Sequence, residues 1–281
     1  MQAILKKAIV VLYHEACDDG FGAAWAAWRK FGDRARYVAV RYQESLPKGL
    51  SGKDVYLLDF SYPPDKMREL LSRARRVVAI DHHKTADVST RMAQVGIFDL
   101  NHAGAVLAWR HFHPRVEVPR LLRHVEDRDL WRFKLPATNQ IRAVLSSHRK
   151  DFETWDQIAG KLETGAGKRA LIQEGSAILR YQERVVEQMV ASAQLVHFCG
   201  TPTYVVNSPL LSSEVGHALS ERLPPMGIAW SQRGDVVKVE LRSIGEFDVS
   251  SFAKRFGGGG HKNAAGFSLP AGTPFPWEPI V

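Results

Sequence analysis

Asp81-His82-His83 closes the apolar run Val78-Ala79-Ile80, and the polar Lys84-Thr85 follows at once. Two other apolar runs end in the same way. Ala8 to Tyr13 meets His14, and Val55 to Leu58 meets Asp59. Imidazoles and carboxylates at such ends form an oxygen and nitrogen donor set that suits Mn, Fe or Zn, and also Mg. Asp18, Asp19, Asp127 and Asp129 enlarge the pool of donors. A pair of divalent ions about 3.5–4 Å apart can hydrolyse a phosphodiester by activating water, neutralising charge and aligning the reacting atoms. In such a pair one carboxylate bridges, and Asp59, alone at the end of its run, is the natural bridge.

These side chains need elements that deliver them to one place. Short β-branched apolar runs bounded by polar residues read as buried strands of a parallel sheet. Ligands of open α/β sheets sit beyond the carboxyl ends of the strands. Phe21 to Lys30 reads as an Ala-rich helix, Ala35 to Val40 as a strand, and Pro63-Pro64 opens a helix to about Ser72. This alternation predicts a doubly wound α/β domain. Asp18 or Asp19 also suits an N-cap of the helix at Phe21. A helix is expected after Asn101-His102-Ala103-Gly104, and another over Leu121 to Glu126, running into Asp127-Arg128-Asp129. Residues 152–193 read as helical, with a long connecting helix up to about Gln194.

A second, smaller mixed α/β unit is expected from about Val196. It contains strands at Thr203–Asn207, Gly227–Trp230 and Val236–Arg242, with a hairpin turn over Gln232–Asp235. Ser212 is a plausible N-cap for a helix to Leu219. A short helix over Asp248–Phe256 leads into four consecutive glycines, Gly257 to Gly260, then His261-Lys262. Glycines let backbone N–H groups approach a phosphate closely. Gly258, Gly259, Gly260 and His261 are therefore candidate ligands of a phosphate, with Arg242 beside them. The boundaries expected are 1–165 for the donor-bearing domain, 166–195 for the connecting helix and 196–281 for the second domain.

The chain has 281 residues, 45% of them hydrophobic, which suits a globular protein with a real core. It contains no uninterrupted apolar stretch of about 18 residues, so no membrane span is expected. Met1 to Lys7 lacks the apolar region and cleavage site of a signal peptide. Two cysteines, Cys17 and Cys199, provide no disulfide framework, which fits a reducing cytoplasm. The net charge of +8 suits an anionic partner such as a nucleotide or nucleic acid. The helix ending near Ala193 could act as a hinge or as the face of a homodimer.

Taken together, Asp81-His82-His83, then Gly258-Gly259-Gly260-His261 and Ala264-Ala265-Gly266, resemble the signatures of the DHH phosphoesterase superfamily. The resemblance is to the branch with a DHH-associated C-terminal domain, related to RecJ-type exonucleases and nano-RNases. It implies a phosphoester hydrolase with two manganese-type ions, and a cleft between a metal domain and a phosphate-gripping domain suits short oligonucleotides or linear dinucleotides as substrates. It further implies that His14 and Asp59 hold a first ion, and that Asp19, Asp59, His82 and Asp127 (or Asp129) hold a second. Asp81 would orient the site and His83 would contact the scissile phosphate. Arg242, Gly259, Gly260 and His261 would hold the rest of the substrate. One motif departs from the family. In His14-Glu15-Ala16-Cys17-Asp18-Asp19-Gly20, Cys17 stands where an Asp is usual, with Asp18 as an alternative through a shifted loop. A Cys donor is softer and favours Zn or Fe over Mg. Alternative activities are a phosphatase of 3′-phosphoadenosine 5′-phosphate and a cyclic-dinucleotide phosphodiesterase. The remaining alternative is a non-catalytic nucleotide or single-strand binder.

Overall fold

A computed structural model describes residues 7–15, 17–41 and 45–280. The chain divides into two compact units, Met1–Leu179 and Arg180–Val281.

The first unit is built on a five-stranded parallel sheet in the order β2-β1-β3-β4-β5. The strands are β1 (Ile9–His14), β2 (Ala35–Val40), β3 (Asp54–Leu58), β4 (Arg76–Asp81) and β5 (Val95–Phe98). Alternate residues go to opposite faces of a strand. Val11, Leu58, Val78 and Ile80 join one core, and Val10, Leu12, Val55, Leu57, Val77 and Ala79 join the other. Both faces are therefore covered, as the continuous apolar runs require. The first face packs against α1 (Asp18–Phe31), α4 (Gly104–Phe112), α5 (Arg120–Asp129), α6 (Thr138–Ser147) and α7 (Phe152–Leu162). The second packs against α2 (Pro64–Arg73) through Met67 and Leu70. A short helix, α3 (Asp87–Arg91), precedes β5.

All five strands point the same way, so their carboxyl ends share one edge. The neighbours β1, β3 and β4 are in step there. Tyr13 pairs with Leu58, and Leu58 with Ile80, so the next residues, His14, Asp59 and Asp81, stand side by side. The order 2-1-3-4-5 switches direction between β1 and β3, where ligands of such sheets bind.

Helix α8 (Gly165–Ala191) leaves the first unit, separated from α7 by the break at Glu163 and Thr164. The stretch expected to be helical over 152–193 holds both α7 and α8, and α8 is the connecting helix expected over 166–195. β5 and α6 were not anticipated, being short or polar-interrupted. The second unit holds a seven-stranded mixed sheet in the order β10-β11-β9-β8-β7-β6-β12. Its strands are β6 (Gln194–Phe198), β7 (Thr201–Asn207), β8 (Met226–Arg233), β9 (Val236–Ser243), β10 (Gly259–His261), β11 (Ala264–Pro270) and β12 (Trp277–Pro279). The expected hairpin closes at Arg233 and Val236, with Gly234-Asp235 between them. Helices α9 (Ser212–Arg222) and α10 (Val249–Arg255) complete the unit. Ser212 does not cap α9. The residue before the helix is Leu211, at φ 53°, and no side chain caps it. Among the described residues, no helix is long and apolar enough to cross a membrane.

Candidate metal centre

The edge shared by β1, β3 and β4 collects donors around Asp59, which is 1% exposed. Asp59 has a positive φ of 62°, a left-handed conformation that Asp tolerates better than most residues. Strain of this kind persists where surrounding structure enforces it, and it clusters at functional sites. The turn presents the two carboxylate oxygens of Asp59 to different neighbours. Oδ2 faces β1 and the start of α1, lying 3.6 Å from His14 Nδ1 and 3.2 Å from Cys17 Sγ. Oδ1 faces β4 and lies 3.2 Å from His82 Nε2.

A second group of donors surrounds the same imidazole. His82 Nε2 lies 3.4 Å from Asp19 Oδ2 and 3.5 Å from Asp129 Oδ2. Asp19 comes from the first turn of α1. Its carboxylate accepts the backbone N–H groups of Gly104 (2.7 Å) and Ala105 (2.8 Å) at the start of α4. Anions belong at such a helix start. Gly104 is required there, because a Cβ would meet Asp59 Oδ1 at 2.7 Å. Asp129 is the last residue of α5 and approaches the same imidazole.

The donors are thus grouped as His14-Cys17-Asp59, Asp59-His82-His83 and Asp19-His82-Asp129, each within 4.8 Å. Such crowding of carboxylates has a cost that shows in their protonation. Burial, then the charges of Asp59 and Asp129, push the Asp19 carboxyl well above the usual range. Burial and Asp59 push Asp129 up to about 6. Burial would raise Asp59 too, but the imidazoles of His14, His82 and His83 close around it outweigh burial and hold Asp59 well below the usual range. Burial lowers the affinity of His83 for a proton, yet the hydrogen bond to Asp81 prevails and lifts it to about 9.

Among the described residues, two buried polar atoms at the middle of this cluster, Asp59 Oδ1 and His82 Nε2, have no hydrogen-bond partner. An unsatisfied buried carboxylate oxygen beside an unsatisfied imidazole nitrogen is expensive unless something else binds both. Three carboxylates around them would repel one another without a cation. The donor chemistry and the orphaned atoms together fit divalent metal ions.

Asp81 sits beneath the centre and is fully buried. Its Oδ1 accepts from His82 N (2.8 Å), His83 N (3.0 Å) and His83 Nδ1 (2.9 Å), so it fixes the backbone at both residues and the orientation of the His83 imidazole. The structure thereby brings together His14, Cys17, Asp19, Asp59, Asp81, His82 and His83. It does not bring Asp18 or Asp127 to them. Asp18 is on the outer face of the first turn of α1 and pairs with Lys150 at 3.0 Å. Cys17, not Asp18 or Asp19, is the N-cap of α1. Asp127 turns to the loop after α5, accepting from Lys134 N (2.8 Å), Leu135 N (3.1 Å) and Thr138 Oγ1 (2.6 Å). Its neighbour Asp129, the alternative in the sequence, is the carboxylate near His82. The N–H groups of Gly104 and Ala105 were not anticipated as site elements; the only signal was a glycine opening a helix.

In the second unit, Arg242 is the penultimate residue of β9, opposite Ala264. Its guanidinium donates to Ser213 Oγ (2.6 Å) and lies 3.3 Å from Glu240 Oε2. Gly259, Gly260 and His261 form β10, paired with Gly266, Ala265 and Ala264. The glycines differ in what they require. A Cβ on Gly258 would strike the backbone of Gly266, and one on Gly260, at φ 139°, the backbone of Ala264 and Ala265. Gly259 has open space around it.

The model of the DHHA1 domain matches residues 213–275. An uncharacterized protein of Acanthamoeba polyphaga mimivirus is 30% identical over 92% of this chain and 67% of its own length. A pGpG-specific phosphodiesterase of Vibrio cholerae shares the fold at a TM-score of 0.52, with 13% identity over 94% of each chain. RecJ of Thermus thermophilus in complex with Mn2+ shares it at 0.50, with 17% identity over 95% of this chain and 50% of that one. With its Asp81-His82-His83 strand end and its DHHA1 match, the chain belongs to the DHH superfamily of phosphoesterases, in the branch that carries the DHHA1 domain.

Proposed function

We propose that this protein is a metal-dependent phosphodiesterase that hydrolyses short oligonucleotides or linear dinucleotides to mononucleotides. The observation that carries the reading is Asp59, whose two carboxylate oxygens face two separate donor groups while Oδ1 has no hydrogen-bond partner. That is the disposition of a bridging ligand. His14 and Asp59 would hold one divalent ion, and Asp59, Asp19, His82 and Asp129 the other. Bound there, such ions supply a water activated near neutral pH and offset the charge of a phosphodiester.

The other residues of the centre bind and orient. Burial disfavours a proton on His83, but Asp81, accepting from Nδ1, prevails and lifts the imidazole to about 9. It is 30% exposed, so the imidazolium can donate to a non-bridging oxygen of the scissile phosphate. Asp81 makes no contact with substrate in this reading; it holds His83 in that tautomer and orientation. On the second unit, Arg242 and the open backbone at Gly259 suit a further phosphate or a terminal nucleotide. The names of two structural neighbours, a pGpG-specific phosphodiesterase and RecJ with Mn2+, support a short nucleic-acid substrate and a divalent ion.

The test is hydrolysis of a 5′-phosphorylated linear dinucleotide with Mn, Mg, Zn or no metal, by the native protein and by Asp59→Ala. Metal-dependent release of mononucleotides by the native protein alone is expected. Turnover of 3′-phosphoadenosine 5′-phosphate or of cyclic dinucleotides without turnover of the linear dinucleotide would replace the substrate class. Absence of turnover with any of these substrates would reject the enzyme reading.

A further inference from the structure

Cys17 has no part in the scheme above, yet its sulfur sits among the donors. Sγ lies 3.2 Å from His14 Nδ1 and 3.2 Å from Asp59 Oδ2. One atom of each of the three residues lies within 4.8 Å of the other two. The sulfur is held in that position from below, since Gly20 N donates to it at 3.1 Å and Cys17 is the N-cap of α1. Gly20 lets the helix start press against His14, because a Cβ there would collide with the His14 carbonyl.

Capping does not account for a thiol. Asp, Asn or Ser caps a helix well, and Cys is not among the preferred residues. Packing does not account for it either. A structural cysteine behaves as a small hydrophobe in apolar surroundings, whereas this one faces an imidazole and a carboxylate. An independent sign of a cation site is adjacent: Asp59 Oδ1, on the same carboxylate, is buried with no hydrogen-bond partner among the described residues.

We propose that Cys17 is a thiolate ligand, making His14-Cys17-Asp59 a mixed nitrogen, sulfur and oxygen site that selects a thiophilic divalent ion such as zinc or ferrous iron. The other site, Asp19-His82-Asp129 with Asp59, has only oxygen and nitrogen donors and accepts a harder ion. The S–H group donates to Asp59 Oδ2. On binding, the S–H bond breaks, the proton goes to solvent, and the sulfur electron pair forms the bond to the metal. No oxidation state changes. The inference rests on the metal-centre reading, but not on the substrate or the reaction.

The experiment strips the full chain with a chelator and titrates it with cobalt(II), recording near-ultraviolet absorption. A sulfur-to-cobalt charge-transfer band is expected in the native protein and in Cys199→Ser, and absent in Cys17→Ser. Far-ultraviolet circular dichroism checks that the variant folds. If it does not, Cys17→Asp, which keeps a good cap, serves in its place. Competition between zinc and manganese should shift toward manganese in Cys17→Asp. The shift should be at least the roughly 10–100-fold that loss of an outer-shell partner costs. A band that survives in Cys17→Ser overturns the proposal, as does native protein that binds cobalt without the band or binds none. Dinucleotide hydrolysis is scored separately. A band without hydrolysis rejects the phosphodiesterase reading alone, and hydrolysis without a band rejects the thiolate alone.

Discussion

Asp127 and Asp129 stand two residues apart at the end of α5, and neutralising them should move stability in opposite directions. Asp127 is 4% exposed and its carboxylate accepts from Lys134 N, Leu135 N and Thr138 Oγ1. Its own carbonyl accepts from Arg132 N and Phe133 N. These bonds hold a loop in which Trp131, Phe133 and Ala137 have positive φ. Asp127→Asn places an amide NH2 where an N–H or O–H must donate, so one or two bonds to a charged acceptor are lost. At about 1.5–3 kcal/mol each, the cost is roughly 2–4 kcal/mol, or about 5–15 °C in Tm for a unit of this size. Asp129 differs, since burial and the Asp59 charge lift its carboxyl to about 6. A lift of that extent corresponds to at most about 3 kcal/mol of penalty on the charged form at neutral pH. The partial exposure of Asp129 reduces this to about 1 kcal/mol. Asp129→Asn should therefore stabilise the metal-free protein slightly while weakening metal binding. The pH dependence has a definite sign. The favourable contribution of a raised carboxyl is fully present below its unfolded value near 4 and is lost as pH rises through about 6. The gain from Asp129→Asn should thus be seen at pH 7.5 and vanish near pH 4. Asp127 is held below the usual range: burial opposes this, but Thr138 and the two backbone donors prevail. Its contribution is present above about 4 and falls away only below that. Thermal unfolding in chelator at both pH values, with metal content by elemental analysis, checks the pair. An Asp127→Asn protein of native stability that has lost its metal would refute the assignment, as would a destabilised metal-free Asp129→Asn.

Gly104→Ala puts a methyl 2.7 Å from Asp59 Oδ1, so metal affinity should fall by roughly 10–100-fold, measured by competition with a chelating dye; unchanged affinity would show that the close approach is dispensable. Gly258→Ala and Gly260→Ala collide with the backbone of β11 and should lower stability by about 1–3 kcal/mol. Gly259→Ala should fold normally and raise KM for a dinucleotide more than it lowers kcat, as should Arg242→Ala. Equal melting of all three glycine variants would refute the distinction. His83 is lifted to about 9 by Asp81, despite burial. In metal-free protein, NMR titration should find it protonated at pH 7.5, and Asp81→Asn should bring its transition down toward the ordinary histidine value near 6.5.

The strand ends were legible because hydrophobicity changes abruptly at them. Val78-Ala79-Ile80 into Asp81 needs no register to be read, and a parallel sheet then places all such ends on one edge. The donors supplied by helices were harder, because a helix turns by about 100° per residue. Ending α5 at Glu126 leaves Asp127 and Asp129 equivalent. Continuing it to Asp129 separates them by about 200° around the axis, and only one of them can face His82. The start of α1 behaves in the same way. Read from Phe21, it leaves Asp18 and Asp19 as competing caps. Begun at Asp18, it makes Cys17 the cap, sends Asp18 outward to Lys150 and buries Asp19 under the start of α4. The four glycines show a related limit. One letter covers the positive φ of Gly257, the backbone clash at Gly258 and the open space at Gly259, and only the pairing of β10 with β11 distinguishes them. Hydrophobic patterning sets which segments are buried to within a residue or two. Ligands at element ends depend on that last residue, so the donor set was legible as a pool while its division into separate donor groups required the turn at Asp59, which brings His14 and Cys17 to one oxygen and His82 to the other.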